Sequence, residues 1–185
     1  IEAAIKLARY HTGREKLIAF YGSFHGRTMG ALSLTASKAV QRRGFGPLVP
    51  GVVHVPYPDP YRQGEEASAE YSIAAIERAF KTVAPPEEVA AIFVEPVQGE
   101  GGYIIPPRMF FDRLQALARK HGILIVADEV QSGFGRTGRM FASEHFGLVP
   151  DIITSAKGIA SGMPISATIA RAELMDWKPG AHAST

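Results

Sequence analysis

The stretch GILIVADEVQSGFGRTG, residues 122–138, decides the fold, because an apolar run that is typical of a strand ends there in two acidic residues. Gly133, Gly135 and Gly138 follow and spell G-x-G-x-x-G, which is also the pattern of a dinucleotide-binding turn. We expect Asp128 and Glu129, which stand ahead of the glycines, to matter more than the glycines do. The sequence around this stretch decides between these interpretations.

Five further apolar runs are predicted to be strands. They are KLIAFY (residues 16–21), VVHV (52–55), VAAIFVE (89–95), DIITSA (151–156) and ISATIA (165–170). Helical spacing is found at residues 1–12, closed by Gly13, at 67–83, at 107–120, closed by Gly122, and near 140–146. Strands that alternate with helices predict an α/β protein with a mostly parallel sheet and flanking helices.

Composition narrows the class of protein. The chain has 185 residues, of which 46% are hydrophobic and 21% charged, as in a globular domain. The net charge of +2 is small and the cations are scattered, so we expect no nucleic-acid partner. The sequence has no cysteine, no apolar run of the roughly 20 residues that span a bilayer, and no signal peptide. The missing cysteines exclude cysteine-ligated zinc. We expect no metal site and no membrane association, and we predict a cytoplasmic location.

Two segments bear on domain organisation. The chain begins within a helical pattern and ends in the turn-rich KPGAHAST, residues 178–185, so we expect an internal part of a longer polypeptide. The proline-rich VPYPDPYRQG, residues 55–64, is predicted to be a long loop, and long loops in compact domains are often functional.

Polar side chains follow four predicted strands. Glu95, Asp128 and Lys157 come at or just after the ends of three strands, and Arg27 lies in SFHGRT after the first. A single such residue usually caps a helix or faces water. Because ligands bind at the carboxyl ends of parallel strands, four of them together predict a site at this edge.

Two nucleotide-binding interpretations fit this edge poorly. A dinucleotide turn leads into a long helix, whereas RTGRMFASEHFG, residues 136–147, predicts only a short one. Two carboxylates would also repel a pyrophosphate, although Asp151 stands about 20 residues on, where that fold places an acidic residue. A nucleotide hydrolase would need G-x-x-x-x-G-K-[ST], which the chain does not contain.

Pyridoxal phosphate chemistry fits the same residues better. It requires a lysine amine that holds the aldehyde as a Schiff base and a carboxylate that keeps the ring nitrogen protonated. Lys157 and Asp128 have the side chains for these roles. The residues around Lys157, IITSAKGIASG, are small and nearly uncharged.

Four motifs together carry a resemblance to a known family. SFHGRT, EPVQGEGG, IVADEVQSGFGRTG and SAKGIASGMP, in this order and at these distances, resemble the class III (subgroup II) aminotransferases of fold type I. The likeness is strongest to 4-aminobutyrate aminotransferases, followed by acetylornithine and ornithine aminotransferases.

The resemblance has implications for the architecture and the reaction. It implies that residues 1–185 form part of the large pyridoxal-phosphate-binding domain, with an N-terminal segment and a C-terminal small domain outside them. It also implies a homodimer with shared active sites, which transfers an amino group from an ω-amino acid to a 2-oxo acid such as 2-oxoglutarate. The turn that binds the cofactor phosphate would precede residue 1, and a second substrate arginine would follow residue 185.

The resemblance also assigns roles around the cofactor. Lys157 would be the Schiff-base lysine and Asp128 the partner of the pyridinium nitrogen. Val130 would pack on one face of the ring and Phe24 on the other, with His25 beside it.

The remaining assignments concern the ring hydroxyl, the substrate and the cofactor phosphate. Gln131 would approach the ring hydroxyl, held in place by Glu95. Arg27 would clamp a substrate carboxylate, and Glu100 would be a gating residue for a second arginine. Thr185 would reach across the two-fold axis to the phosphate bound by the partner subunit.

Other functions stay open on the sequence alone. A pyridoxal phosphate racemase on the same fold would keep both Lys157 and Asp128. A non-catalytic homologue is disfavoured because it could dispense with the lysine, and an NAD-dependent dehydrogenase is a remote alternative. The glycines at 133, 135 and 138 are predicted to form a tight loop and not to bind a ligand.

Overall fold

The structure is a computed structural model, which describes residues 1–182. Within them, six strands form one sheet in the order β2-β1-β3-β4-β5-β6. The strands are β1 Lys16–Phe20, β2 Val52–Val55, β3 Val89–Val94, β4 Leu124–Asp128, β5 Ile152–Ser155 and β6 Ala167–Ala170. Strands β1 to β5 are parallel, and β6 is antiparallel to β5. All six predicted strands and the mostly parallel sheet are confirmed.

Six α-helices lie in the same range. They are α1 Glu2–Thr12, α2 Met29–Leu34, α3 Pro60–Gln63, α4 Glu65–Thr82, α5 Arg108–His121 and α6 Ser143–Phe146. The four predicted helices are confirmed, with ends that differ from the predicted ones by a few residues. None of the helices in residues 1–182 is both long and apolar enough to cross a membrane.

The sequence did not predict α2 and α3. The amino end of α2 is capped by the carboxylate of Glu2, which accepts from the N–H groups of Gly30 and Ala31 at 2.8 and 3.0 Å. This cap comes from a distant part of the chain, so no local pattern marks the helix. Helix α3 lies within the predicted proline-rich loop, where Asp59 accepts from Arg62 N–H at 3.3 Å.

The sheet is buried on both faces. One face packs against α4, α5 and α6 through residues such as Ile18, Phe20 and Ile125. The other face packs against α1 through residues such as Phe93 and Val126. Since side chains alternate along a strand, Asp128 points to the same face as Val126.

The chain order places a crevice beside β1. The chain passes from β1 to β2 on one side and returns to β3 on the other side of β1. In open parallel sheets, this reversal leaves a crevice at the carboxyl ends of the strands, which is where ligands bind.

At the opposite ends of the strands, the amino ends, Arg14 holds several segments together. Its Nη1 lies 3.3, 3.1, 3.1 and 3.0 Å from the carbonyl oxygens of Pro86, Val89, His121 and Gly122. Two of these carbonyls lie before and at the start of β3, and the other two lie at the end of α5 and in the turn before β4. One guanidinium therefore joins two connections that are far apart in the sequence.

We predict that Arg14→Ala lowers the free energy of unfolding by roughly 1–3 kcal/mol, because several partly buried carbonyls lose a charged donor. Urea denaturation of the variant would measure this change. Arg43→Ala is the control, because Arg43 is exposed. Equal stability of the two variants would contradict the role of Arg14.

Candidate active site

The carboxyl ends of four strands meet at one cavity, which we call the strand-end cavity. It has a volume of about 280 Å³ and is lined by Phe24, His25, Gly26, Glu95, Asp128, Val130, Gln131, Ala156 and Lys157. These residues come from the segments after β1, β3, β4 and β5. The structure thus brings together seven of the ten residues that the sequence assigned to the site.

The other three assigned residues do not line this cavity. Arg27 is exposed, and its guanidinium carbon lies 5.6 Å from the centroid of the Phe24 ring. Glu100 is exposed and forms an ion pair with Lys38 at 3.3 Å. Thr185 lies outside the described residues.

Asp128 is a buried carboxylate with three donors. Its Oδ2 lies 2.7 Å from Nδ1 of His25. Its Oδ1 accepts from the N–H of Val130 at 3.1 Å and from the hydroxyl of Thr154 at 3.3 Å. Such a carboxylate is fixed in position and favours a cation or a strong donor beside it.

His25 is itself fixed from two sides. Its backbone N–H donates to the hydroxyl of Thr35 at 2.9 Å. Its ring lies edge-on to that of Phe93, with the ring centroids 6.1 Å apart. Among the described residues, its Nε2 is buried and has no hydrogen-bond partner. His25 therefore positions Asp128, a role that the sequence did not assign to it.

Glu95 connects two loops of the site. One carboxylate oxygen accepts from the N–H of Phe24 at 2.8 Å, and the other accepts from the N–H of Gly99 at 3.1 Å. Burial raises the pKa of Glu95, and the charge of Asp128 adds to this effect, while His25 and the two N–H groups oppose it. The sequence analysis expected Glu95 to hold Gln131. Within the described residues, the carboxylate instead accepts hydrogen bonds from these two backbone groups.

Gln131 instead packs against Gly99. A Cβ atom on Gly99 would lie 1.6 Å from Oε1 of Gln131, and one on Gly101 would lie 2.4 Å from Oε1 of Gln98. Both glycines lie in a short hairpin closed by paired hydrogen bonds between Gln98 and Ile104. The glycines of EPVQGEGG therefore leave space for two glutamine side chains.

Lys157 lies two residues after the end of β5 and has an unusual backbone conformation. Its φ is +47°, a left-handed value that is rare for residues with a side chain and is often found at functional sites. The side chain is exposed and borders both the strand-end cavity and a neighbouring cavity of about 390 Å³, which we call the loop cavity.

The loop cavity contains residues that the sequence analysis did not identify. Tyr103 and Phe134 line it, and both have left-handed φ values, 55° and 56°. Each is next to a glycine, at 102 and 135. Val130, Gln131 and Lys157 are shared by the two cavities.

Glu129 differs from its neighbour Asp128 in what it does. It is fully buried and accepts from the hydroxyls of Ser132 and Ser143, at 2.6 and 2.7 Å, and from the N–H groups of Ala142 and Ser143, at 3.1 and 2.8 Å. It lines neither cavity. Its carboxylate supports the start of α6, so only one of the two expected acidic residues faces the site.

The glycines that follow form a tight loop, as expected. Phe134 N–H donates to Met140 O at 2.7 Å, and Gly135 N–H donates to Arg139 O at 3.1 Å. Gly138 N–H closes the turn on Gly135 O at 3.0 Å. These short connections leave no long helix after the glycines, which excludes the dinucleotide-binding arrangement.

Comparison with known proteins gives a consistent result. The sequence model of one family, described as aminotransferase class-III, matches residues 1–185. The acetylornithine aminotransferase of Methanopyrus kandleri is 50% identical over 100% of this chain and 43% of its own length. The 4-aminobutyrate aminotransferase of Escherichia coli is 49% identical over 95% and 41%. The alanine/serine racemase of Pyrococcus horikoshii is 44% identical over 97% and 40%.

Solved structures show the same fold. An (S)-enantioselective omega-transaminase from Thermomicrobium roseum matches with a TM-score of 0.87 and 38% identity, over 95% of this chain and 41% of its own. The omega transaminase from Pseudomonas jessenii in complex with PMP matches with a TM-score of 0.86 and 35% identity, over 94% and 40%. The chain thus spans about two fifths of the length of the proteins it matches.

We predict that Gly99→Ala destabilises the protein by roughly 1–3 kcal/mol, because the new methyl group overlaps the amide of Gln131. The double variant Gly99→Ala/Gln131→Ala should recover most of this loss, because the overlapping atoms are removed. Thermal unfolding of both variants and of Gln131→Ala alone would measure the effect. If Gly99→Ala and the double variant lost equal stability, the contact with Gln131 would not be the reason why residue 99 must be glycine.

Proposed function

This chain belongs to the class-III aminotransferase family, and on that premise we propose that the full-length protein is a pyridoxal 5'-phosphate-dependent aminotransferase. It would transfer the amino group of an ω-amino acid resembling 4-aminobutyrate to a 2-oxo acid such as 2-oxoglutarate. The observation that carries the proposal is that Asp128 and Lys157, from neighbouring strand ends, line one cavity with Phe24 and Val130. The PMP complex of the Pseudomonas jessenii relative supports the choice of cofactor.

The lining residues fit this cofactor. When bound, pyridoxal 5'-phosphate supplies an aldehyde that an amine can attack and a ring that accepts electrons. Phe24 and Val130 offer apolar surface for the two faces of the ring. Asp128, held by His25, offers a buried carboxylate to the protonated ring nitrogen. Lys157 offers a primary amine at the rim of the same cavity.

Each of the two polar groups has a separate task in the reaction. The amine of Lys157 would hold the cofactor through its aldehyde, and once released as a free amine it would take a proton from the substrate carbon and return one. The carboxylate of Asp128 would make a positive charge on the ring nitrogen favourable, which would lower the cost of removing that substrate proton. Lys157, whose φ is left-handed, borders both cavities.

Three further residues are proposed to act on the ring hydroxyl and the substrate. Arg27 would bind a substrate carboxylate, since its planar guanidinium donates two parallel hydrogen bonds. Gln131 would approach the ring hydroxyl, with its amide placed by the backbone of Gly99. Glu100 would act as the gating carboxylate, and its ion pair with Lys38 gives it a partner in the present arrangement.

Two other activities are supported by specific relatives. The 50% identity to an acetylornithine aminotransferase favours a different amino donor, and the 44% identity to an alanine/serine racemase favours a reaction without a 2-oxo acid. Both would use Asp128 and Lys157 in the same positions. The distinction rests on groups that contact the substrate beyond the ring.

We also propose that the full-length protein is a homodimer with shared sites, in which Thr185 binds the cofactor phosphate of the partner subunit. The resemblance of the sequence to the family supports this proposal. The physical reason is that a phosphate dianion needs several donors, and a hydroxyl from a second chain adds one. The cytoplasmic location stays a prediction from the sequence.

The reaction can be tested on the full-length protein reconstituted with pyridoxal phosphate. We expect glutamate to form from 2-oxoglutarate and 4-aminobutyrate, together with a yellow absorbance that borohydride fixes to the chain. Lys157→Ala should abolish the fixed absorbance and lower turnover by several orders of magnitude, because Lys157 supplies the amine in the lining of the strand-end cavity. Interconversion of alanine enantiomers without a 2-oxo acid would favour the racemase, and unchanged absorbance in the variant would exclude Lys157.

We predict that Asp128→Ala slows proton abstraction roughly 10- to 100-fold, which matches the loss of a charge-assisted hydrogen bond of about 1.5–3 kcal/mol. Cofactor should still bind, although less tightly, and the binding of the substrate should change less than the rate. Single-turnover kinetics would separate the two effects. Asp112→Ala, at an exposed carboxylate on α5, is the control. A normal single-turnover rate in Asp128→Ala would be incompatible with the assigned role.

A further inference from the structure

The proline-rich segment, residues 55–64, has no part in the chemistry above, yet its buried Tyr57 forms a hydrogen bond with the backbone of a residue that lines the site. Tyr57 is 8% exposed, and its hydroxyl donates to the carbonyl oxygen of Glu95 at 2.9 Å. The carbonyl oxygen of Pro96 lies 3.4 Å from the same hydroxyl. Glu95 immediately follows β3, where the chain turns away from the sheet. The hydroxyl therefore fixes the backbone at the residue whose carboxylate joins two loops.

The ring of Tyr57 is held firmly enough to act as an anchor. It lies edge-on to Phe20, with the ring centroids 5.5 Å apart, and 6.0 Å from Phe110. The loop itself is tied to α4 by the hydroxyl of Ser72, which donates to Pro56 O at 2.7 Å. Edge-to-face aromatic contacts and buried hydrogen bonds of this kind restrict the position of the hydroxyl.

The hydroxyl also keeps its proton. Burial raises the pKa of Tyr57 well above its ordinary value, and the negative charge of Glu95 adds to the effect. The group therefore stays a neutral donor under ordinary conditions. A neutral donor to a backbone carbonyl stabilises a position and takes no part in proton transfer.

A chain of contacts leads from this hydroxyl to the lining of the strand-end cavity. The backbone of Glu95 is held by Tyr57, and its carboxylate accepts from the N–H of Phe24 at 2.8 Å and from that of Gly99 at 3.1 Å. Phe24 lines the strand-end cavity, and Gly99 packs against Gln131. Tyr57 itself lines neither cavity.

We propose that Tyr57 is a positioning residue, which sets the backbone of Glu95 and, through its carboxylate, the wall of the strand-end cavity at Phe24 and that of the loop cavity at Gly99. The part of this inference that concerns the cofactor rests on the proposed function. If Tyr57 only filled the core, the substitution Tyr57→Phe would leave the cavity unchanged. A positioning tyrosine would transmit the loss of its hydroxyl to residues that it does not touch.

The first test uses the full-length protein without cofactor. Tyr57→Phe keeps the ring and removes the hydroxyl, and Tyr61→Phe is the matched control, since Tyr61 lies in the same loop and is 96% exposed. Amide hydrogen exchange should become about 3- to 10-fold faster in residues 22–28 and 95–99 of Tyr57→Phe, as expected for one lost hydrogen bond. The control should show no change there. Faster exchange confined to residues 55–64, or no change, would overturn the proposal.

The second test measures the affinity for pyridoxal phosphate by titration of the same proteins. Tyr57→Phe should weaken binding about 3- to 10-fold. In a background of Glu95→Gln the same change should have a clearly smaller effect, because the two residues act in series. If the effects of Tyr57→Phe and Glu95→Gln on the affinity were additive, the two residues would act independently and the proposal would be overturned. If the unmodified protein bound no pyridoxal phosphate, the proposed function would fail, and hydrogen exchange would still decide the role of Tyr57.

Discussion

A carboxylate that is removed from water must find donors, and this requirement organises the carboxyl edge of the sheet. Asp128 finds them in His25, Val130 and Thr154, and Glu95 finds them in the backbone of two loops. Glu129 finds three at the start of α6 and a fourth in the hydroxyl of Ser132. Each acid therefore connects segments that are distant in the sequence, and the cavities lie between the connected segments.

The fold was largely predictable because its strands are buried on both faces. A continuous apolar run such as VAAIFV is the signature of a strand in a parallel sheet, and every residue of β3 is buried. The helices α4 and α5 have a clear periodicity, so they too were found. Helix α2 was missed because its cap is Glu2, and sequence spacing carries no signal of a contact formed in three dimensions.

The site was predictable for the same reason, but only in part. The carboxyl ends of parallel strands lie along one edge, so the positions of Glu95, Asp128 and Lys157 followed from the strands. Their partners did not follow, because hydrogen bonds such as that between His25 and Asp128 join residues about a hundred positions apart. Likewise, glycine patterns indicate turns, whereas Gly99 is required by a glutamine from another loop.

The cross-link made by Arg14 lies at the amino edge of the sheet, away from the strand-end cavity. The contacts of Arg14 thus involve none of the residues that line the strand-end cavity. Loops at the carboxyl edge are free to diverge in shape and selectivity while the framework beneath them keeps its strength. Changes in the loops that line the cavity can therefore leave the guanidinium and its carbonyls in place.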